Sequence, residues 1–147
     1  MGNIFVETLE IEINNQYGKI DYFEDTLYII AHKALKGKNI HNANISILLC
    51  DNEYITSLNN KFRNKNCPTN VLSFPDGESI GGITYLGDIA IAIPKIIEEA
   101  NEQGKTFKNH LLHMFTHSVL HLLGYDHQTM QEQEEMEKIE DDILCSI

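Results

Sequence analysis

The chain has 147 residues, with 22 acidic side chains against 11 basic ones and a formal net charge of −11. That length predicts one domain spanning 1–147, large enough to bury a core without a metal's help, and 42% hydrophobic residues exclude general disorder. No run approaches the ~18 apolar residues of a membrane span, and the acidic balance argues against a protein that coats nucleic acid by bulk charge.

The opening MGNIFVETLE is expected to be no signal peptide, since it lacks a basic and then an apolar segment. Val6 stands where N-myristoylation needs Ser or Thr. Residues 4–13 alternate loosely and read as a strand. Tyr17 to Lys36 carries Ile20, Phe23, Leu27, Ile30, Ala31 and Ala34 at helical spacing, with Gly37 placed to end it. Residues 43–50, ANISILLC, form a short buried strand. Asp51 is an N-cap candidate for a helix whose inward face would be Tyr54, Ile55, Leu58 and Phe62. A long irregular stretch follows, with a short strand from Val71 to Phe74.

Residues 86–93, LGDIAIAI, read as another buried strand, stopped by Pro94 in the first turn of a helix that Gly104 closes near Gln103. Thr106 opens an apolar helix to Leu123, stopped by Gly124, and Gln128 to Leu144 forms a last, very acidic helix. This irregular mixture predicts an α+β fold, a small mixed sheet packed with helices. Cys50, Cys67 and Cys145 are odd in number and form no C-x-x-C pair. That is the pattern of idle thiols in a reducing cytoplasm, with no disulfide-linked partner.

The chemistry concentrates in HSVLHLLGYDH. His117 and His121, four apart on a helix, project from one face about 6 Å apart. Gly124 permits the left-handed turn that swings the chain back, and His127 becomes a third ligand from outside the helix. Three nitrogens leave the fourth tetrahedral position of a Zn²⁺ ion for water, the arrangement of a catalytic site. The spacing is that of a metalloprotease metal-binding helix, H-E-x-x-H-x-x-G-x-x-H, but Ser118 occupies the place of the glutamate base. A metallopeptidase is therefore the disfavoured alternative. His113, one turn earlier, is either a pocket wall or a partner of the ligands. Asp126 either orients a ligand imidazole or caps the next helix. His110, His32 and His41 are expected at the surface.

The second informative stretch is KFRNKNCPTNVLSFP. Arg63, between Lys61 and Lys65 and beside Phe62, suits the bidentate fork by which a guanidinium holds phosphate. Residues 32–70 carry a net +4, the only positive segment of the chain, which permits a local cationic cleft on an acidic body.

Three stretches together resemble the YbeY family of bacterial ribosomal-RNA maturation endoribonucleases. FRNKNCPTNVLSFP (62–75) is similar to the family's Y-R-x-x-D-x-P-T-D-V-L-S-F-P. LGDIAIA (86–92) is similar to its L-G-D-I strand, and HMFTHSVLHLLGYDH (113–127), preceded by EANEQGKTF (99–107), to its H-x-x-x-H-G-x-L-H-L-x-G-Y-D-H. The resemblance implies an α+β fold with a metal cleft and a zinc ion held by the residues matching His117, His121 and His127. It also implies a functional arginine at Arg63 and action on single-stranded RNA in small-subunit ribosomal RNA 3′-end maturation and ribosome quality control in the cytoplasm. Asn66 and Asn70 replace aspartates of the pattern, removing two negative charges, and Ser118 replaces a glycine. The other alternative is a non-catalytic ribosome-assembly factor with a structural metal.

Overall fold

The computed structural model describes residues 8–147; the first four residues of the expected opening strand, 4–7, lie outside them. The elements follow in the order β1 (Thr8–Asn15), α1 (Glu24–Ala34), β2 (Asn42–Cys50), α2 (Asn52–Arg63), β3 (Val71–Ile80), β4 (Ile83–Ala92), α3 (Ile93–Gln103), α4 (Phe107–Leu122) and α5 (Met130–Cys145). The sheet order is β1-β2-β4-β3, with β1, β2 and β4 parallel and β3 antiparallel to β4. This is the small mixed sheet packed with helices that the sequence predicts. Its two parallel pairs need long connections, which α1 supplies between β1 and β2, and α2 with β3 between β2 and β4.

Alternation along the strands divides the interior in two. Ala43, Ile45, Ile47 and Leu49 of β2 share the main core with Leu27 and Ile30 of α1 and Phe115, Val119 and Leu120 of α4, and α5 adds Met136 and Ile143 by packing on α1 and α4. Each fully buried large side chain there contributes roughly 1.5–3 kcal/mol. On the opposite face, Cys50, Leu72, Ala90 and Ala92 pack under Ile55 of α2. The rest of that face is a cavity of about 640 Å³ lined by Glu12, Leu48, Leu58, Phe62, Phe74 and Asp88, with no histidine in its lining. Of the expected inward face of α2, Ile55 is buried and Leu58 half-buried. Tyr54 and Phe62 are exposed, because α2 covers only one end of the sheet.

The capping expectations hold at Asp51, Thr106 and Pro94, whereas α1 ends at Ala34 with Leu35 as its cap, before Gly37. Asp51 accepts from the Tyr54 N–H at 2.8 Å, Thr106 from Asn109 at 3.1 Å, and Pro94 lies in the first turn of α3. Thr129 and Glu132 form a reciprocal capping box at the start of α5. The helix expected from Tyr17 starts only at Glu24. Asn15 Oδ1 accepts from the Tyr17 and Gly18 N–H groups, and Asp21 Oδ1 from Phe23, so local side-chain bonds compete with helix before Phe23. The strand expected over 71–74 runs on to Ile80 and turns through Gly81-Gly82 into β4.

One glycine sets the edge of this sheet against α4. Gly87 has φ +142°, and a Cβ there would lie 2.3 Å from the Phe74 carbonyl oxygen and 2.9 Å from Leu122 Cδ2. Only a residue without a side chain lets β3, β4 and α4 meet at this distance. Among the described residues, no helix is long and apolar enough to cross a membrane.

Candidate metal centre

Helix α4 ends where the site begins. The Gly124 N–H bonds to the His121 carbonyl at 3.0 Å and the Tyr125 N–H to that of Leu120 at 3.0 Å, with Gly124 at φ +96°. These bonds satisfy the last helical carbonyls and reverse the chain. Lys38 then holds the turn from α1's side, donating to Tyr125 Oη at 3.0 Å with its ammonium 4.6 Å from the ring centroid. His127 emerges from this turn opposite the helix. Its ring lies 5.6 Å from that of His117 and 5.0 Å from that of His121.

The three imidazoles bring one nitrogen each within 4.8 Å of one another, and the Nε2 atoms of His117 and His121 are 3.0 Å apart. Three converging nitrogens on a fixed helix and a fixed turn fit a tetrahedral cation with one position left over. His121 is held below the ordinary histidine range, first by burial and then by its two histidine neighbours, against the opposing charges of Asp126 and Glu140. The shift favours the unprotonated imidazole, the form a metal requires.

Behind the site stands a carboxylate that motif reasoning missed. Glu140 of α5, only 5% exposed, accepts from His117 Nδ1 at 2.5 Å through Oε2 and lies 3.4 Å from His113 Nε2 through Oε1. Burial alone would raise its pKa. The hydrogen bonds from His113 and His117, with their charge, outweigh that and hold it at about 2. The signal was present in α5: Met136 and Ile143 mark its buried stripe, and Glu140 is the acid that falls on the same face. Asp126 does not cap α5, which Thr129 caps; its Oδ1 accepts from the His127 N–H at 2.7 Å, and its charge acts on His121.

Arg63 ends α2, and the left-handed Asn64 turns the chain into the 64–70 loop. Buried Asn59 ties that loop down by donating to the Cys67 carbonyl at 2.9 Å. Phe62 packs edge-on against Phe74 of β3 at 5.1 Å. The result is a cleft of about 650 Å³ whose walls include Arg63, Thr69 and Ser73 on one side and His117, His121 and His127 on the other. Thus the loop and the histidines, 54 positions apart at Arg63 and His117 in the sequence, share one cavity.

The departures from the family pattern have local explanations at two positions. Ser118 is fully buried and donates to the Met114 carbonyl at 2.9 Å, so its hydroxyl is turned into the helix and away from the cleft. Asn70 donates its amide to Glu99 Oε1 at 3.0 Å while its Oδ1 accepts from the Val71 N–H at 2.7 Å. An amide, which both gives and accepts, suits this place beside a carboxylate. Nothing in the structure explains Asn66. Of the three histidines expected at the surface, His41 is exposed and His32 half-buried. His110 is buried, because its Nε2 meets Glu99 at 2.9 Å and the pair satisfies itself inside.

A mixed sheet whose edge strand and preceding loop face a helix with converging imidazoles defines a class: an α/β scaffold carrying three histidines placed so that they could hold a metal ion. The comparisons narrow this. The family model described as Endoribonuclease YbeY matches residues 10–147. Similar proteins include the Endoribonuclease YbeY of Bartonella bacilliformis, 43% identical over 84% of this chain and 84% of that protein. That of Sulfurihydrogenibium sp. is 38% identical over 93% and 94%. The solution structure of TM1509 from Thermotoga maritima is similar with a TM-score of 0.62 and 27% identity, over 92% of this chain and 90% of that one. The chain belongs to the YbeY endoribonuclease family.

Proposed function

We propose that the chain acts as one domain, a zinc-dependent endoribonuclease that cuts single-stranded RNA in the cytoplasm during maturation of the small-subunit ribosomal RNA 3′ end. The observation that carries this reading is the shared cleft: three imidazole nitrogens converge on one wall and Arg63 stands on another. His117, His121 and His127 would hold the ion. Bound zinc supplies Lewis acidity toward a phosphoryl oxygen and a lowered pKa for water.

The protein's own residues supply the rest. Arg63 grips the phosphate through a bidentate fork and stabilises charge growing on its oxygens. Glu140 accepts the His117 Nδ1–H and so leaves Nε2 aimed into the cleft. The basic 32–70 segment draws the phosphodiester to this cleft, while the net charge of −11 disfavours RNA elsewhere on the surface. Peptide hydrolysis is disfavoured despite the protease-like spacing of the metal helix, because Ser118 donates its hydroxyl to Met114 and offers no base.

The test is metal stoichiometry and single-stranded RNA cleavage, assayed together on wild type and His121→Ala. Loss of both in the variant is expected. Full cleavage by metal-free protein would overturn the reading, and RNA binding without cleavage by zinc-replete wild type would favour an assembly factor.

A further inference from the structure

Lys105, between α3 and α4, touches two histidines at once. Its Nζ lies 3.2 Å from His113 Nδ1 and 3.5 Å from His110 Nδ1. An ammonium group has three protons and no lone pair, so both Nδ1 atoms act as acceptors. Each neutral ring then carries its proton at Nε2. On His113 that proton faces Glu140 Oε1, 3.4 Å away; on His110 it faces Glu99 Oε1 at 2.9 Å.

Both carboxylates have a second partner at the cleft. Glu140 accepts from His117 Nδ1, which leaves His117 Nε2 free for the cation. Glu99 accepts from the Asn70 amide at 3.0 Å, and the Asn70 backbone carbonyl accepts from Ala92 at 2.9 Å. Asn70 lines the same cleft as Arg63 and the histidines. One ammonium therefore starts two chains of polar contacts, hydrogen-bonded at each step except the 3.4 Å ion-pair contact of His113 with Glu140. The first runs through His113 and Glu140 to a metal-facing imidazole; the second runs through His110 and Glu99 to the opposite wall.

We propose that Lys105 is a positioning residue that sets the tautomers of His113 and His110 and, through Glu140 and Glu99, holds His117 and Asn70 in place on the two walls of the cleft. The inference rests on the proposed function only in taking zinc as the ion at the three histidines. Lys105 is half-buried, and its own protons reach neither wall directly. Its role passes through the two rings.

The test reads histidine tautomers by long-range ¹H–¹⁵N correlation in ¹⁵N-labelled, zinc-loaded protein, and zinc affinity by competition with a chromophoric chelator. In wild type, His113 and His110 are expected protonated at Nε2 and His117 at Nδ1. Lys105→Met removes the donor: His113 should shift toward a tautomer mixture and zinc affinity should fall about tenfold, the low end for loss of an outer-shell partner. Lys105→Arg, which keeps a donor, should restore both. A wild-type His113 protonated at Nδ1 would overturn the proposal, whether or not a variant folds. So would a Lys105→Met protein with the wild-type spectrum and zinc affinity within twofold. Neither readout uses RNA. A wild type that leaves RNA intact while Lys105→Met loses zinc affinity would support the relay and reject the nuclease reading. Normal cleavage with spectra indifferent to Lys105→Met would reject the relay and keep the nuclease.

Discussion

Glu140 and His117 join α5 to α4 through one hydrogen bond, Oε2 to Nδ1 at 2.5 Å, in a place where the carboxylate is almost wholly buried. The same bond fixes which nitrogen of His117 faces the cleft. Substituting Glu140→Gln keeps the size and removes the charge, so His117 becomes a poorer ligand. Zinc affinity is expected to fall about 10–100-fold, measured by chelator competition, with the far-UV circular dichroism unchanged.

The depressed pKa of Glu140 links the same residue to stability. A carboxylate that titrates near 4.5 when unfolded and at about 2 when folded binds fewer protons in the native state. Its contribution is fully present above about pH 4.5 and is lost as pH falls through about 2, and it amounts to on the order of 3 kcal/mol. Urea unfolding of metal-free wild type should therefore show stability falling between pH 4.5 and 2. Glu140→Gln should be less stable at pH 5 and flatter across that window. Equal slopes for the two proteins would count against the assignment.

Gly87 tests how the cleft is assembled rather than what it does. An alanine there must meet the Phe74 carbonyl at 2.3 Å, with φ at +142°. Backbone cannot yield as a flexible side chain can, so Gly87→Ala is expected to cost about 2–4 kcal/mol. A large drop in melting temperature and loss of soluble yield should follow. A variant with the wild-type melting temperature would show that β3 and α4 can separate freely.

The three thiols should divide by environment. Burial, reinforced by Asp51, pushes the Cys50 thiol up to about 11, and it donates to the Ile91 carbonyl. Cys67 and Cys145 are exposed. Mass spectrometry after iodoacetamide treatment of native protein at pH 8 should find two labels, at Cys67 and Cys145, with Cys50 labelled only in denaturant.

Much of this was legible because it is local. Asp51, Thr106, Pro94 and Gly124 act within one turn of their own position, and His117 and His121 share a face by helical period alone. What escaped is the work of distant neighbours. Apolar periodicity over 17–36 could not show that Asn15 and Asp21 hold residues 17–23 out of the helix. Nor could composition separate His110 from a surface histidine, since its burial depends on Glu99 of another helix. Glu140 was hidden among the acids of α5, and Lys105 among ordinary loop residues. Both matter through partners that only the packing of α3, α4 and α5 supplies.

Arg63 gives the sharpest separation of metal from substrate. It stands on the loop wall of the cleft, and the imidazole nitrogens that converge belong to α4 and the turn after it. Arg63→Ala should leave zinc content and affinity at wild-type values while lowering kcat/KM on single-stranded RNA about 10–100-fold, the loss of one charge-assisted bidentate contact. Arg63→Lys should recover only part, because an ammonium is a point charge without the planar fork. Removing one phosphate contact should also make the logarithmic salt slope of RNA binding shallower by about 0.7. An unchanged slope with unchanged turnover would take Arg63 out of the phosphate site and leave its attraction to the basic 32–70 segment as a whole.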